Sequence, residues 1–321
     1  MKKLAYFCGI LLLVLLMVIS GARIVESVVQ PGDQTDNSGF VSRTITRDGV
    51  DYYPRQDITV LMLLGIDQPG PVKASESYNN SGAADMVALV IFDEAAEAYT
   101  ILHINRDTML SMPVLGLNGK PAGTYYGQLA LSHTYGSGLE DSCENTKAAV
   151  SELLYGLTID YYVAMNFDAI PILNDAVGGV TVVVEDDFSA VDPSITMGEM
   201  TLRGEQAIHF VRNRKNVGDQ TNETRMKRHM AYVEGFFEAL NSQLEQGDEF
   251  IVTAYEEASP YLVTDCSINT INGMLQHYSG YTLKELRTIE GEHVVGDTYM
   301  EFYPDADKLD DLILSLFYAP K

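Results

Sequence analysis

The chain begins with Lys2 and Lys3 and then a run from Leu4 to Ala22 that carries no charge. A helix needs about 20 apolar residues to cross a bilayer, so this run predicts a membrane span. Basic residues before it and an acidic chain after it place the N-terminus inside and the remainder outside. Ser20 and Ala22 form a small-x-small site that would fit a cleaved signal peptide, but cleaved apolar regions usually run only about 7–15 residues, which favours retention.

From Arg23 to Gln56 the periodicity disappears and polar punctuation such as QPGDQTDNSG takes over, the pattern of a tether. The folded body begins near Ile58. ITVLMLLG (Ile58 to Gly65) is an apolar run suited to a buried strand, and DMVALVIFD (Asp85 to Asp93) and AYTILHI (Ala98 to Ile104) form two more strands around EAAE, a predicted hairpin. ENTKAAVSELLYG (Glu144 to Gly156) has helical spacing with a glycine stop. TIDYYVAMNF alternates like a strand, DAIPILNDAVGG is a short helix, and VTVVVED is again strand. The longest helical stripe runs from Arg225 to Leu244 through Met226, Met230, Val233, Phe237, Leu240 and Leu244. Near the end, Asp305 caps a helix that turns Leu309, Leu312, Ile313, Leu316 and Phe317 inward. Alternating elements predict an α/β domain at 57–321, behind an anchor at 1–22 and a linker at 23–56.

Composition narrows the function classes. With 321 residues, 46% of them hydrophobic, the chain can bury a sizeable core, which excludes disorder and a disulfide-stapled miniprotein. Its 45 acidic and 21 basic side chains give a net charge of -24, which excludes a nucleic-acid binder with a broad positive face. Any anion site must be local. Cys8, Cys143 and Cys266 form no CxxC pair, and a Cys143–Cys266 bridge stays open for a domain outside the cell.

Such a local site stands out. Arg212, Arg214, Lys215, Arg225, Lys227 and Arg228 place six of the 21 basic residues within 17 positions. Packed like charges are tolerated most readily around a shared anion, and arginine favours multidentate contact with phosphate oxygens. Arg225 and Arg228 share a helix face near its positive dipole end. A solvated basic face is the bland alternative. A second cluster sits at strand ends: Asp67 in LLGID, Asp85, and Arg106 with Asp107 in INRDT. Two carboxylates there suit a hard cation such as Mg²⁺, although an Asp past a strand is commonly a turn former. No Walker A loop, GxGxxG, GxSxG or HExxH is present, and the six histidines lack ligand spacing. Tyr125, Tyr126 and Tyr135 read as core packing, with the lining of a sugar or lipid site as the alternative.

Taken in order, LLGID, ADM, INRDTML, LALSHTYGSG, LTIDYYVAMNF, AVGGVTV, LRGEQAIHFVRNR and DQTNETRMKRH resemble the LytR-CpsA-Psr family of Gram-positive cell-wall enzymes. The resemblance implies a three-layer α/β/α domain around a central mixed sheet, held outside the cell membrane by one N-terminal transmembrane helix. It implies transfer of an anionic glycopolymer, wall teichoic acid or capsule-like, from undecaprenyl pyrophosphate to a peptidoglycan acceptor. The family pattern would put Mg²⁺ (or Mn²⁺) on Asp67 and Asp85, Arg106 in the RD motif, and the pyrophosphate on Arg106, Arg212, Arg214 and Arg225. Arg228, Gln206 and His229 would complete that set, with Asp67 or Asp85 as the base for the acceptor hydroxyl. Where the family commonly has RxxRQ this chain reads RMKRH, so His229 would make a phosphate contact dependent on pH near neutrality. Two other outcomes fit the same features: hydrolysis of the lipid-linked donor, and non-catalytic binding of polyprenyl phosphates by an envelope regulator.

Overall fold

Three apolar runs become the centre of the main sheet. They are β3 (Ile58–Asp67), β4 (Ala83–Asp93) and β5 (Ala98–Ile104), and every residue of β5 is buried. Burial on both faces explains why these strands read as continuous hydrophobic runs rather than alternating ones. The predicted hairpin is present: β4 and β5 pair antiparallel from Val87↔Ile104 to Asp93↔Ala98, and the Ala96 N–H closes the turn on Asp93 Oδ1 at 3.0 Å. The computed structural model describes residues 44–320 except 78, 117–118, 245, 247–249, 268–269, 271–272, 275–276 and 279–280. The predicted span from Leu4 to Ala22 lies outside the described residues, among which no helix is long and apolar enough to cross a membrane.

The remaining strands are β1 (Ile45–Arg47), β2 (Val50–Pro54), β6 (Met109–Leu115), β7 (Pro121–Gln128), β8 (Tyr161–Asn166), β9 (Val180–Val184), β10 (Gly198–Leu202), β11 (Leu262–Thr264), β12 (Thr282–Thr288), β13 (Gly291–Val295), β14 (Met300–Pro304) and β15 (Tyr318–Pro320). The six-stranded sheet runs β11-β8-β3-β4-β5-β12, so sequence neighbours and crossover connections alternate in it. The helices are α1 (Glu140–Leu153), α2 (Ala169–Ala176), α3 (Glu205–Arg212), α4 (Asn222–Leu244), α5 (Phe250–Ala258) and α6 (Ala306–Phe317). The described chain separates into two compact units, each discontinuous in sequence.

The first unit comprises Gly65–Val72 and Ala164–Leu283. Here β9 pairs with β10, α4 packs on β9, and α2 packs against both α3 and α5. A Cβ at Gly235 would meet the Thr181 carbonyl at 2.2 Å, so only glycine allows α4 to lie this close to β9. The predicted glycine stop after α2 is real: Gly178 and Gly179 have φ of 80° and 92°. Helix α4 begins at Asn222, three residues before the predicted start, because the Thr221 hydroxyl accepts the Thr224 N–H at 3.2 Å and caps it. Phe236 is buried on that helix, off the expected stripe.

The second unit comprises residues 44–64, Lys73–Val163 and Lys284–Lys321. Residues 45–54, expected to belong to a polar linker over 23–56, form a hairpin, and β2 pairs with β15 at the far end of the chain. That pairing partner lies beyond residue 317, so local sequence gave no sign of it. Asp305 caps α6 through the Lys308 N–H, and all five predicted core residues of that helix are buried. Cys143 and Cys266 are both buried.

Candidate functional site

In the second unit the chain leaves β5 at Ile104 and turns on Asn105. The Asn105 side-chain oxygen accepts the Asp107 N–H at 2.9 Å, and its carbonyl accepts the Thr108 N–H and hydroxyl at 3.1 and 2.6 Å. Asparagine forms such turns readily because its side chain mimics a backbone carbonyl. The Ala130 N–H then ties the turn to the Arg106 carbonyl at 2.9 Å. With its backbone fixed, Arg106 directs its guanidinium at two acids: Nη1 pairs with Asp85 Oδ1, and Nε reaches Asp107 Oδ1 at 3.3 Å. The Gln128 amide holds Asp107 Oδ1 at 2.8 Å and also donates to the Met300 carbonyl.

One guanidinium between two carboxylates leaves this cluster with a net negative charge. Asp107 Oδ2 is buried and has no hydrogen-bond partner among the described residues. Buried polar oxygens are normally satisfied, so this one marks spare capacity. Carboxylate oxygens without thiols or imidazoles form the donor set of a hard divalent cation, and Mg²⁺ takes only one or two of them directly. Among the described residues no group of three or more aspartate, glutamate, histidine or cysteine side chains is placed to hold a metal ion, so this cluster offers a hard cation two carboxylates at most.

In the first unit Asp67 ends β3 and accepts Arg212 Nη2 at 2.7 Å, both side chains being substantially exposed. The Arg212 guanidinium also lies 5.6 Å from the centre of the Phe167 ring. An exposed pair of this kind is worth about 0–1 kcal/mol, so a phosphate can displace the carboxylate with little penalty. Arg225 sits in the first turn of α4, buried, with Nη2 on Asn222 Oδ1 at 2.7 Å. Arg214 is half-buried just past α3.

Three of the expected pyrophosphate ligands engage the protein itself. Arg228 donates from Nε to the Phe210 carbonyl at 3.0 Å, from Nη2 to the Asn213 carbonyl, and from Nη1 to Asp186 Oδ2 at 2.7 Å. His229 Nε2 donates to the Val211 carbonyl at 2.9 Å. The last carbonyls of a helix have no partner within it, and these two residues supply partners for the end of α3. Burial pulls the Arg228 pKa below the ordinary arginine range, partly offset by Asp186. Gln206 donates to the Ser194 hydroxyl at 2.8 Å and accepts the Arg203 N–H at 3.0 Å, which fixes the loop before α3. Arg228 and His229 therefore position Arg212, which occupies the last turn of the helix they brace.

Two features lay outside the sequence reading. His209 is half-exposed on α3, and its Nδ1 is 2.9 Å from Asp192 Oδ2. The Ser194 hydroxyl and then His209 hold Asp192 below the usual carboxylate range. The i, i+3 spacing of Gln206, His209 and Arg212 on one polar face was the available signal. Tyr125 and Tyr126, read as core, instead stand out from β7 at 40% and 56% exposure. Tyr126 shares the outward face with Ser111, while Tyr125 shares the face of the buried Met112, a difference that local hydrophobicity cannot reveal.

The family model named LytR_cpsA_psr matches residues 29–315. A polyisoprenyl-teichoic acid–peptidoglycan teichoic acid transferase, TagU of Oceanobacillus iheyensis, is 27% identical over 225 residues, covering 67% of this chain and 63% of that protein. TagV of Bacillus subtilis, which bears the same activity name, is 29% identical over 245 residues, covering 71% of this chain and 58% of that protein. The alignments thus span a little under two thirds of these relatives' length. The crystal structure of B. subtilis TagV superposes with a TM-score of 0.61 at 24% identity, over 82% of this chain and 96% of that one. This likeness establishes a mixed α/β fold with a central mixed sheet. A family match over most of the length, with the expected motifs at their positions, makes this chain a member of the LytR_cpsA_psr family.

Proposed function

We propose that this chain is a transferase that moves an anionic glycopolymer, wall teichoic acid or capsule-like, from undecaprenyl pyrophosphate to peptidoglycan. In this reading a retained N-terminal helix anchors a three-layer α/β/α domain on the outer side of the cell membrane, where the lipid-borne donor resides. The observation that carries it lies in the first unit. In a chain with a net charge of -24, Arg212 lies in the last turn of α3, Arg214 just past it and Arg225 in the first turn of α4, and these two helices pack against each other. A helix N-terminus attracts anions, and guanidinium groups match phosphate oxygens in pairs. The names of the relatives, teichoic acid transferases, support the same substrate class.

The chemistry assigned to these residues is charge stabilisation. An acceptor hydroxyl attacks the sugar-linked phosphorus, or the anomeric carbon where the linkage requires it. Attack at phosphorus breaks its bond to the lipid phosphate, and undecaprenyl phosphate leaves with the electron pair; attack at carbon breaks the anomeric C–O bond, and undecaprenyl pyrophosphate leaves instead. Arg212, Arg214 and Arg225 hold the diphosphate and stabilise the charge that develops on the leaving group, while Arg106 exchanges a carboxylate partner for a phosphate oxygen. Asp67 or Asp85 accepts the proton from the attacking hydroxyl. A bound Mg²⁺ or Mn²⁺ would neutralise phosphate oxygens as a Lewis acid, and the family resemblance makes Asp67 and Asp85 its expected holders.

The test is direct. Full-length protein is incubated with a synthetic undecaprenyl-pyrophosphoryl oligosaccharide, peptidoglycan oligomers and Mg²⁺, and products are read by mass spectrometry. Transfer gives a glycan–peptidoglycan conjugate and undecaprenyl phosphate. Donor cleavage without conjugate in the presence of acceptor would make the protein a pyrophosphatase, and an intact donor would leave it a binder of polyprenyl phosphates.

A further inference from the structure

We propose that the tyrosine face formed by β7 and the β13–β14 hairpin is a binding platform for an uncharged glycan strand. Tyr126, Tyr303 and Tyr299 are 56%, 38% and 37% exposed, while Tyr125, whose cross-strand partner is the buried Met112, turns to the opposite face of β7 from Tyr126. All belong to the second unit. The hairpin is fixed beside β6 and β7 by backbone: Phe302 forms a bridge with Thr108, its N–H donates to the Asp107 carbonyl at 2.9 Å, and the Gln128 amide donates to the Met300 carbonyl at 2.8 Å. Phe302 points inward and is buried, so Glu301 and Tyr303 on either side of it point outward.

A pyranose ring presents an apolar C–H face and a rim of hydroxyls. Tyrosine matches both, with a flat apolar ring and a polar tip. The platform adds a hydroxyl acceptor: Glu301 receives the Tyr303 hydroxyl at 2.6 Å and keeps lone pairs for further donors. That bond pushes the Tyr303 phenol up to about 12, and desolvation with neighbouring Tyr125 raises Tyr299, so the phenols remain protonated donors near neutral pH.

Charge decides which polymer this face accepts. No lysine or arginine occurs in Pro121–Gln128 or in Gly291–Pro304, whereas Glu292, Asp297 and Glu301 do. Glu292 pairs across the hairpin with Tyr303 itself. A phosphodiester polymer is repelled there, while a neutral sugar chain loses nothing. The arginine cluster of the first unit and this face thus select ligands of opposite character. Identifying the strand as the transfer acceptor rests on the transferase reading; binding of the strand does not.

The chain contains no tryptophan but 19 tyrosines, so emission reports the platform as the difference between the parent protein and its tyrosine variants. The probe is a β-1,4-linked N-acetylglucosamine hexamer, titrated into full-length protein in detergent and followed by that emission and by calorimetry. Saturable binding is expected, with Tyr126→Ser and Tyr303→Ser each weakening it about tenfold and Tyr126→Phe staying within about twofold. Poly(glycerol phosphate) should not compete. Undecaprenyl pyrophosphate affinity and thermal melting of the serine variants should match the parent protein, which separates a local loss from misfolding. Absence of hexamer binding, parent-like binding by a Tyr126→Ser/Tyr303→Ser double variant, or competition by the polyanion overturns the proposal. A protein that transfers but ignores the hexamer sinks the platform alone; one that binds the hexamer but consumes no donor supports the platform and sinks the transferase reading.

Discussion

Each unit contains an arginine paired with aspartate and a nearby histidine on a backbone carbonyl, yet the two arrangements serve different ends. In the second unit Arg106 has two carboxylates, Asp85 and Asp107, and His133 Nδ1 lies 2.7 Å from the Gly82 carbonyl. In the first unit Arg228 has one carboxylate, Asp186, and two carbonyls of the α3 end, while His229 holds a third. Carboxylate partners can be exchanged for phosphate when a ligand arrives. Carbonyls at the end of a helix cannot, since each would be left buried without a donor. The same residue type thus meets two carboxylates in one unit and braces the carbonyls of a helix end in the other.

The largest effect that would break this contrast is on turnover. Arg106→Ala is expected to lower transfer per folded molecule about 10³-fold, a loss in the range seen when one charge-stabilising donor is removed, and also to destabilise the fold by leaving the buried Asp85 and Asp107 carboxylates without their cation. Arg228→Ala should lose stability without the loss of turnover. It leaves Asp186 and the Phe210 carbonyl without their buried partner, and the loss of one member of a buried pair costs about 3–5 kcal/mol. Denaturant titration reads that loss, and transfer per folded molecule should fall far less than in Arg106→Ala. Equal effects of the two variants on both measurements would erase the distinction.

The histidine in the second unit comes next. Burial depresses the His133 pKa to about 4, against an unfolded value near 6.5, with the Gly82 carbonyl offsetting part of the shift. The unfolded chain therefore binds a proton that the folded chain refuses. Stability from this group is complete above about pH 6.5 and falls as the pH drops toward 4, by about 3 kcal/mol in all. Urea midpoints measured across that window should fall, and His133→Gln should flatten the part of the slope that begins above the carboxylate range. An unchanged slope would mean that His133 is charged in the folded state.

Much of this architecture was legible, and the boundary of legibility has a physical basis. Period and caps are local, so Asp305 with the stripe from Leu309 to Phe317 was read correctly, as was the β4–β5 hairpin around EAAE. Asp67, Asp85 and Arg106 were read together as a strand-end cluster; Asp85 does meet Arg106, whereas Asp67 pairs with Arg212, 145 residues further along the chain. What failed depended on distant partners. Arg225 and Arg228 look equivalent at i, i+3, but carbonyls 15 and 18 residues earlier claim one of them. Residues 45–54 look like a tether until β15 pairs with them. Tyr125 and Tyr126 look like core because hydrophobicity does not report which face remains uncovered.

The smallest expected effect sharpens the contrast at its finest point. His229 occupies the position where family members commonly carry glutamine, and the sequence alone suggested a phosphate contact sensitive to pH. Its Nε2 instead donates to the Val211 carbonyl, and the residue is buried. A glutamine amide also offers an N–H donor, so His229→Gln can keep that bond while losing some ring packing. The expected cost is about 1 kcal/mol, comparable to one hydrogen bond of imperfect geometry. Transfer rates measured from about pH 6 to 8, the interval in which an ordinary histidine titrates, should follow the same profile in the variant and the parent. A profile that loses a titrating step on substitution would return the imidazole to the pyrophosphate and make the brace at the end of α3 the work of Arg228 alone.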